Sequence, residues 1–263
     1  MAVPSKPFAN RVALVTGASR GIGHATALKL ARLGAHIVAV ARNASDLHEL
    51  EGAVRAEGGS ADCLPLDLAR EADIAGLSDH VERHHGWLDI LFGNAGTPGP
   101  NRSVEQVSVD DWNAVFAVNL VSNWHLLRHF DPLLKRSDAP RAVFMSSSAV
   151  RQARAERGVY AASKAALESM VRAYAEANVN SPLRVNLFNP GPVRTRMRAT
   201  VAPDENQMEL ATPEECAAEI VALFMPDVTA TGRFYDFPSR GFVPYPRPSK
   251  IPPDVRIRDW TQA

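Results

Sequence analysis

Residues 11–23 read Arg11-Val-Ala-Leu-Val-Thr16-Gly17-Ala18-Ser19-Arg20-Gly21-Ile22-Gly23. The first six form a short β-branched and apolar run, the pattern of a buried strand. The next seven hold three glycines, and beyond them a helical pattern runs from Ala25 to Leu33. A strand that enters a helix through such a turn leaves backbone N–H groups and the positive end of the helix facing one point. A pyrophosphate can sit there. Gly34 falls where a left-handed C-terminal cap belongs, just ahead of a second apolar run at 36–41. The first strand–helix–strand unit is thereby delimited.

The same rhythm continues outward. Strand-like runs recur at 62–66, 88–92, 141–145 and 183–188, with helical patterns between them, such as Ile74, Leu77 and Val81 on one face or the alanine-rich stretch 160–177. Strand alternating with helix predicts an α/β fold, a single doubly wound domain with a parallel sheet and helices on both faces. Only the end departs from this: residues 238–253 carry six prolines, which exclude helix and central strand and favour an extended arm. The domain is therefore expected over 1–237, with an arm at 238–263.

Composition narrows the function classes. Of 263 residues 46% are hydrophobic, enough for a large core. Lys plus Arg and Asp plus Glu each number 29, so no net field draws the chain to nucleic acid or to an anionic membrane. Cys63 and Cys216 are too few and too far apart for a disulfide framework or a clustered metal site. No apolar leader core or membrane-spanning run is evident, and a cytoplasmic protein is expected.

Two sets of residues carry chemistry. Gly17-Ala18-Ser19-Arg20-Gly21 also fits Gly-x-Ser-x-Gly, the elbow that presents a serine nucleophile in hydrolases. That alternative needs a histidine later in the chain, and all eight histidines lie at or before His129. Tyr160 and Lys164 stand four apart in a helical stretch, so their side chains share a face, and a lysine cation beside a phenol is expected to pull it below its ordinary pKa of about 10. Ser146, Ser147 and Ser148 follow the run 141–145, placing hydroxyls at the carboxyl end of a strand, where open α/β sheets bind ligands.

With these motifs in order, the sequence resembles the classical short-chain dehydrogenase/reductase family over about 11–236, which implies a Rossmann-type fold. The turn Gly17, Ser19, Arg20, Gly21, Ile22 and Gly23 matches that family's cofactor turn, Asp67 with Leu68 its adenine contact, Asn94-Ala95-Gly96 its post-strand motif and Asn119 its helix asparagine. Ser147, with Ser146 as the other choice, and Tyr160-x-x-x-Lys164 match the catalytic set. Pro190, Gly191, Val193 and Thr195 match the segment that holds nicotinamide, and a substrate lid follows at about 195–210.

The resemblance implies an oxidoreductase that moves a hydride between nicotinamide and an alcohol/carbonyl pair. Tyr160 would be the acid/base, Ser147 would hydrogen-bond the substrate oxygen, Lys164 would also bind the ribose, and Asn119 would hold a water. Ala41 and Arg42 end the second strand with no acid, and Arg20 lies nearby, so NADP is expected over NAD. A small-molecule substrate and a homodimer or homotetramer are expected. A non-catalytic cofactor-binding scaffold of the same fold is the alternative.

Three further features are read as structural. His80, Glu82, His84 and His85 cluster, but Ile74, Leu77 and Val81 should leave the histidines on the solvated side of their helix, with no further ligand in view, so no metal is expected. Phe234, Tyr235, Phe237, Phe242 and Tyr245 suggest a subunit contact. Arg151, Arg154, Arg157, Arg194, Arg196 and Arg198 border the expected substrate pocket with only Glu156 opposing them in those stretches, and they read mainly as surface charge.

Overall fold

The computed structural model describes residues 6–152 and 154–245. In chain order the strands are β1 (Val12–Thr16), β2 (His36–Ala41), β3 (Ser60–Pro65), β4 (Ile90–Gly93), β5 (Arg141–Met145), β6 (Arg184–Asn189), β7 (Phe234–Asp236) and β8 (Gly241–Val243). The helices are α1 (Gly21–Arg32), α2 (Ala44–Ala56), α3 (Glu71–His84), α4 (Val109–Phe116), α5 (Ser122–Leu134), α6 (Gly158–Ala177), α7 (Arg196–Val201) and α8 (Pro213–Ala222). A single sheet runs β3-β2-β1-β4-β5-β6-β7-β8, and every pairing is parallel except the last. The chain starts in the middle, winds outward to β3, then returns past β1 to build the other half. That reversal between β1 and β4 opens a crevice at the carboxyl ends of the strands.

Alternation along the buried strands fills two cores. Ala13, Val15, Ile37 and Ala39 face the side covered by α1, α2 and α8, where Leu30, Leu50 and Ile220 pack. Leu14, Val38, Val40 and Leu91 face the other side, against Leu77, Phe130 and Leu167 of α3, α5 and α6. The inner strands β1, β2, β4, β5 and β6 are buried on both faces, as a parallel sheet between helix layers requires. Gly34 takes φ +103° after α1, the left-handed cap that lets the chain turn straight into β2.

The two last strands were not in the sequence reading. Part of the proline-rich arm pairs with the sheet: β8 lies antiparallel on β7, with Tyr235 opposite Phe242. An edge strand tolerates neighbouring prolines because one side of its ladder stays free. Residues 246–263 of the expected arm lie outside the described residues. The aromatic ending is corrected as well. Phe234, Tyr235 and Phe237 are core residues, with Tyr235 stacked on Phe188 at 5.4 Å, because β7 is an inner strand whose two faces are both covered. Only Phe242 of that set is markedly exposed.

Candidate active site

The glycine turn is as tight as its residues allow. Gly17 and Gly21 take φ +63° and +57°, a region that side chains disfavour. A Cβ on Gly23 would stand 2.3 Å from the Gly17 carbonyl oxygen, so α1 can close onto the turn only with glycine there. Arg20 precedes α1 without a side-chain cap, and the first turn of α1 carries no acid. Its N–H groups and positive end therefore face the cleft.

The exit of β4 is laced to this turn. Thr16 Oγ1 donates to the Phe92 carbonyl and accepts from the N–H groups of Asn94 and Ala95 at 2.9 and 3.1 Å. Asn94 Nδ2 in turn donates to the Thr16 carbonyl at 2.9 Å. Gly17, Ser19, Arg20, Gly21, Ile22, Ala41, Arg42, Asp67, Leu68, Asn94, Ala95 and Gly96 all line one cleft of about 630 Å³. Ser147, Tyr160, Lys164, Pro190, Gly191, Val193 and Thr195 line the same cleft from the other half of the sheet. Asn119, fully buried in a π-helical turn between α4 and α5, stands behind it.

The three serines separate. The Ser146 hydroxyl donates to the buried carboxylate of Glu168, whereas Ser147 caps a short turn at the cleft wall that Tyr160 also lines. Lys164 is almost wholly buried and donates from Nζ to the Met145 carbonyl at 2.7 Å. Burial pushes its ammonium down to about 8, against the neighbouring Glu168 carboxylate that favours the charge. The Asn119 side chain accepts from Thr97 N at 2.8 Å and donates to the Thr97 carbonyl and Ser163 Oγ. It locks the loop after β4 to α6.

Several sequence expectations change here. Tyr160 is not pulled below the ordinary range. Burial holds its phenol up, and the Ser147 hydroxyl and Arg157 guanidinium, which favour the phenolate, do not outweigh that. The Lys164 cation is turned to a backbone carbonyl instead. The basic rim is also weaker than six arginines suggest. Arg151 pairs with Glu168 at 3.4 Å and lies 3.8 Å over the Phe234 ring, while Arg198 pairs with Glu205. Arg154, Arg157 and Arg196 remain on the cleft. Ser19 has no histidine beside it among the residues lining the cleft, so the nucleophile reading lacks its base. Glu168, absent from the sequence reading, was visible in principle: it lies four residues beyond Lys164, on the same helical face.

Residues 11–206 match the family model of the short chain dehydrogenases. The oxidoreductase YciK of Escherichia coli K12 is 36% identical over 219 residues, covering 82% of this chain and 85% of its own. A short chain dehydrogenase from Shigella flexneri 2a, solved with NADP, superposes with a TM-score of 0.82 at 34% identity, covering 88% of this chain and 98% of its own. Another from Escherichia coli CFT073, solved with NADPH, gives 0.84 at 34% identity, covering 89% and 99%. The chain belongs to the short-chain dehydrogenase family and is an oxidoreductase of it.

Proposed function

We propose that the protein transfers a hydride between NADP(H) and an alcohol/carbonyl pair on a small molecule, with Tyr160 as acid/base. One observation carries the reading. Ser147, Tyr160 and Lys164 face the same cleft as a glycine cradle, and Arg20 and Arg42 line it where the adenine end would lie. The cradle fits a dinucleotide phosphate: glycines allow close approach, and uncapped N–H groups of α1 suit an anion. Guanidinium groups suit a further ribose phosphate, and a carboxylate at the end of β2, where Ala41 and Arg42 stand, would have repelled it. NADP(H) bound in kind solved structures supports the same choice.

When bound, the nicotinamide supplies or accepts the hydride. The chain does the rest. Ser147 donates a hydrogen bond to the substrate oxygen; Tyr160 gives that oxygen a proton during reduction and takes one from it during oxidation. Lys164 holds the ribose and adds positive charge near Tyr160 as the phenolate forms. Asn119 acts as a positioning residue through Thr97 and Ser163, and Asp67 with Leu68 contacts the adenine. Arg196, Met197, Arg198 and Val201 line the cleft from α7, which supports a substrate lid at about 195–210 within the 1–237 domain.

A reducing, cytoplasmic setting agrees with the two free thiols, whose burial pushes Cys63 up to about 11 and Cys216 up to about 12, far from the reactive thiolate form. No helix among the described residues is long and apolar enough to cross a membrane. A homodimer or homotetramer is the assembly that the exposed Trp112 and Trp124 on α4 and α5 support, and light scattering would detect it. The catalytic proposal is tested by turnover of NADPH and NADH against a panel of ketones and aldehydes. Reduction with NADPH preferred is expected; tight NADPH binding with no turnover on any carbonyl would favour the scaffold instead.

A further inference from the structure

At the end of the sheet opposite the cleft, four side chains from three elements converge. His36 opens β2, Asp62 lies on β3, His80 is on α3 and His85 follows it. In the parallel register His36 pairs with Ser60 and Val38 with Asp62, so His36 and Asp62 project to the face that α3 covers. There His80 Nε2 and His85 Nε2 lie 2.8 and 3.2 Å from Asp62 Oδ2, and His36 Nε2 lies 3.5 Å from Oδ1. Facing donor atoms of His36, Asp62 and His85 all fall within 4.8 Å of one another. The sequence reading put the histidines of α3 on its solvated side with no further ligand in view. His84 is exposed as expected, but His80 and His85 side chains are only 24% and 16% exposed, and further donors come from β2 and β3.

We propose that His36, Asp62 and His85, with His80 as fourth donor, bind a divalent transition metal of the zinc class. Two imidazoles and a carboxylate, with the His80 imidazole on the same carboxylate, make the borderline N/O set such an ion prefers, and the three ring nitrogens stand 2.8–3.5 Å from Asp62, near the roughly 3.4 Å between donors that tetrahedral bonds of about 2.1 Å require. One imidazole is already oriented. His36 Nδ1 shares a 2.8 Å hydrogen bond with Ser60 Oγ, while its Nε2 is buried with no hydrogen-bond partner. That is the arrangement of a metal-ligating histidine fixed through its other nitrogen.

The ion would tie the outermost strand of the sheet to α3, with its ligand His36 about 20 Å along β2 from Arg42 and the cofactor. Its role is therefore structural: it guards the edge of the sheet. A second group, Glu71 with His125 and His129, is a poorer set, since Arg128 competes for Glu71 at 3.4 Å and that carboxylate is exposed. It serves as the internal control.

The test is a titration of the chelator-stripped full chain with Co²⁺, followed by displacement with Zn²⁺. A saturating visible spectrum of the tetrahedral type, together with a Zn²⁺-dependent rise in Tm reversed by EDTA, is expected. His36→Gln and His85→Gln should each weaken Co²⁺ binding by on the order of 100-fold or more, and Ser60→Ala by about 10- to 100-fold, with unchanged circular dichroism. The His125→Gln/His129→Gln variant should titrate as the parent does. No tetrahedral spectrum in the parent chain, as expected if protons alone hold the cluster, overturns the proposal. So does a titration unaltered in both His36→Gln and His85→Gln, or one lost only in the α5 double variant.

Discussion

Burial favours the neutral form of both Tyr160 and Lys164, raising the phenol above its ordinary value and bringing the ammonium down to about 8. Lys164 is therefore charged at pH 7 and loses its proton through about pH 8, while Tyr160 keeps its proton to higher pH. Carbonyl reduction needs the loaded acid and alcohol oxidation needs the base. We expect kcat/KM for reduction to fall as pH passes through about 8, where the Lys164 charge that supports the forming phenolate is lost, and kcat/KM for oxidation to rise only at higher pH, as Tyr160 gives up its proton. A pH-independent oxidation profile would contradict that assignment. Arg42 offers a second residue-scale prediction. If its guanidinium meets the ribose phosphate, Arg42→Ala removes a charge-assisted hydrogen bond and should weaken NADPH binding by about 10- to 100-fold, leaving NADH binding nearly unchanged. Equal losses for both cofactors in fluorescence titrations would place Arg42 elsewhere. Residues at this scale were legible because their spacing is local: four positions join Tyr160 to Lys164, and strand ends deliver Ser147. The balance of burial against charge at Tyr160 was not, because it depends on what the rest of the fold packs around the phenol.

Among the elements, the joint between β1 and α1 is the least forgiving. A methyl group at Gly23 would meet the Gly17 carbonyl at 2.3 Å and Asn94 Nδ2 at 2.6 Å, both parts of the network that fixes the β4 exit. Gly23→Ala should therefore cost about 1–3 kcal/mol of stability and weaken NADPH binding, measured by denaturant unfolding and by titration of the same preparation. Full retention of both would mean that the turn relaxes more freely than its contacts allow. β1, β2, β4, β5 and β6 are legible from their apolar runs because burial on both faces leaves that pattern. β7 and β8 were not, since each has three residues and the second sits among prolines, so its strand character comes from pairing with β7. The histidine cluster escaped for a similar reason: α3 shows only His80 and the nearby His85, while His36 and Asp62 arrive through the β2–β3 register.

At the scale of the molecule, the reversal of strand order sets a long cleft across the carboxyl ends of the sheet, with the phosphate cradle in one half and the proton chemistry in the other. The opposite end holds the His36–Asp62 cluster, far enough away that metal binding and turnover should vary independently. The rim of the cleft is only moderately basic, because Glu168 and Glu205 neutralise Arg151 and Arg198 from outside the arginine-rich stretches. Arg154→Gln and Arg196→Gln should therefore change catalytic efficiency on anionic and neutral carbonyls alike at two salt concentrations; a loss confined to anionic substrates and erased by salt would reveal charge steering. The central claim is that this cleft moves a proton through Tyr160 while NADP(H) carries the hydride. It is tested most directly by the rate of NADPH consumption in Tyr160→Phe against the parent enzyme, at saturating cofactor with a carbonyl the parent reduces. A fall of about 100-fold or more with NADPH affinity intact is predicted; near-parental turnover would contradict the account.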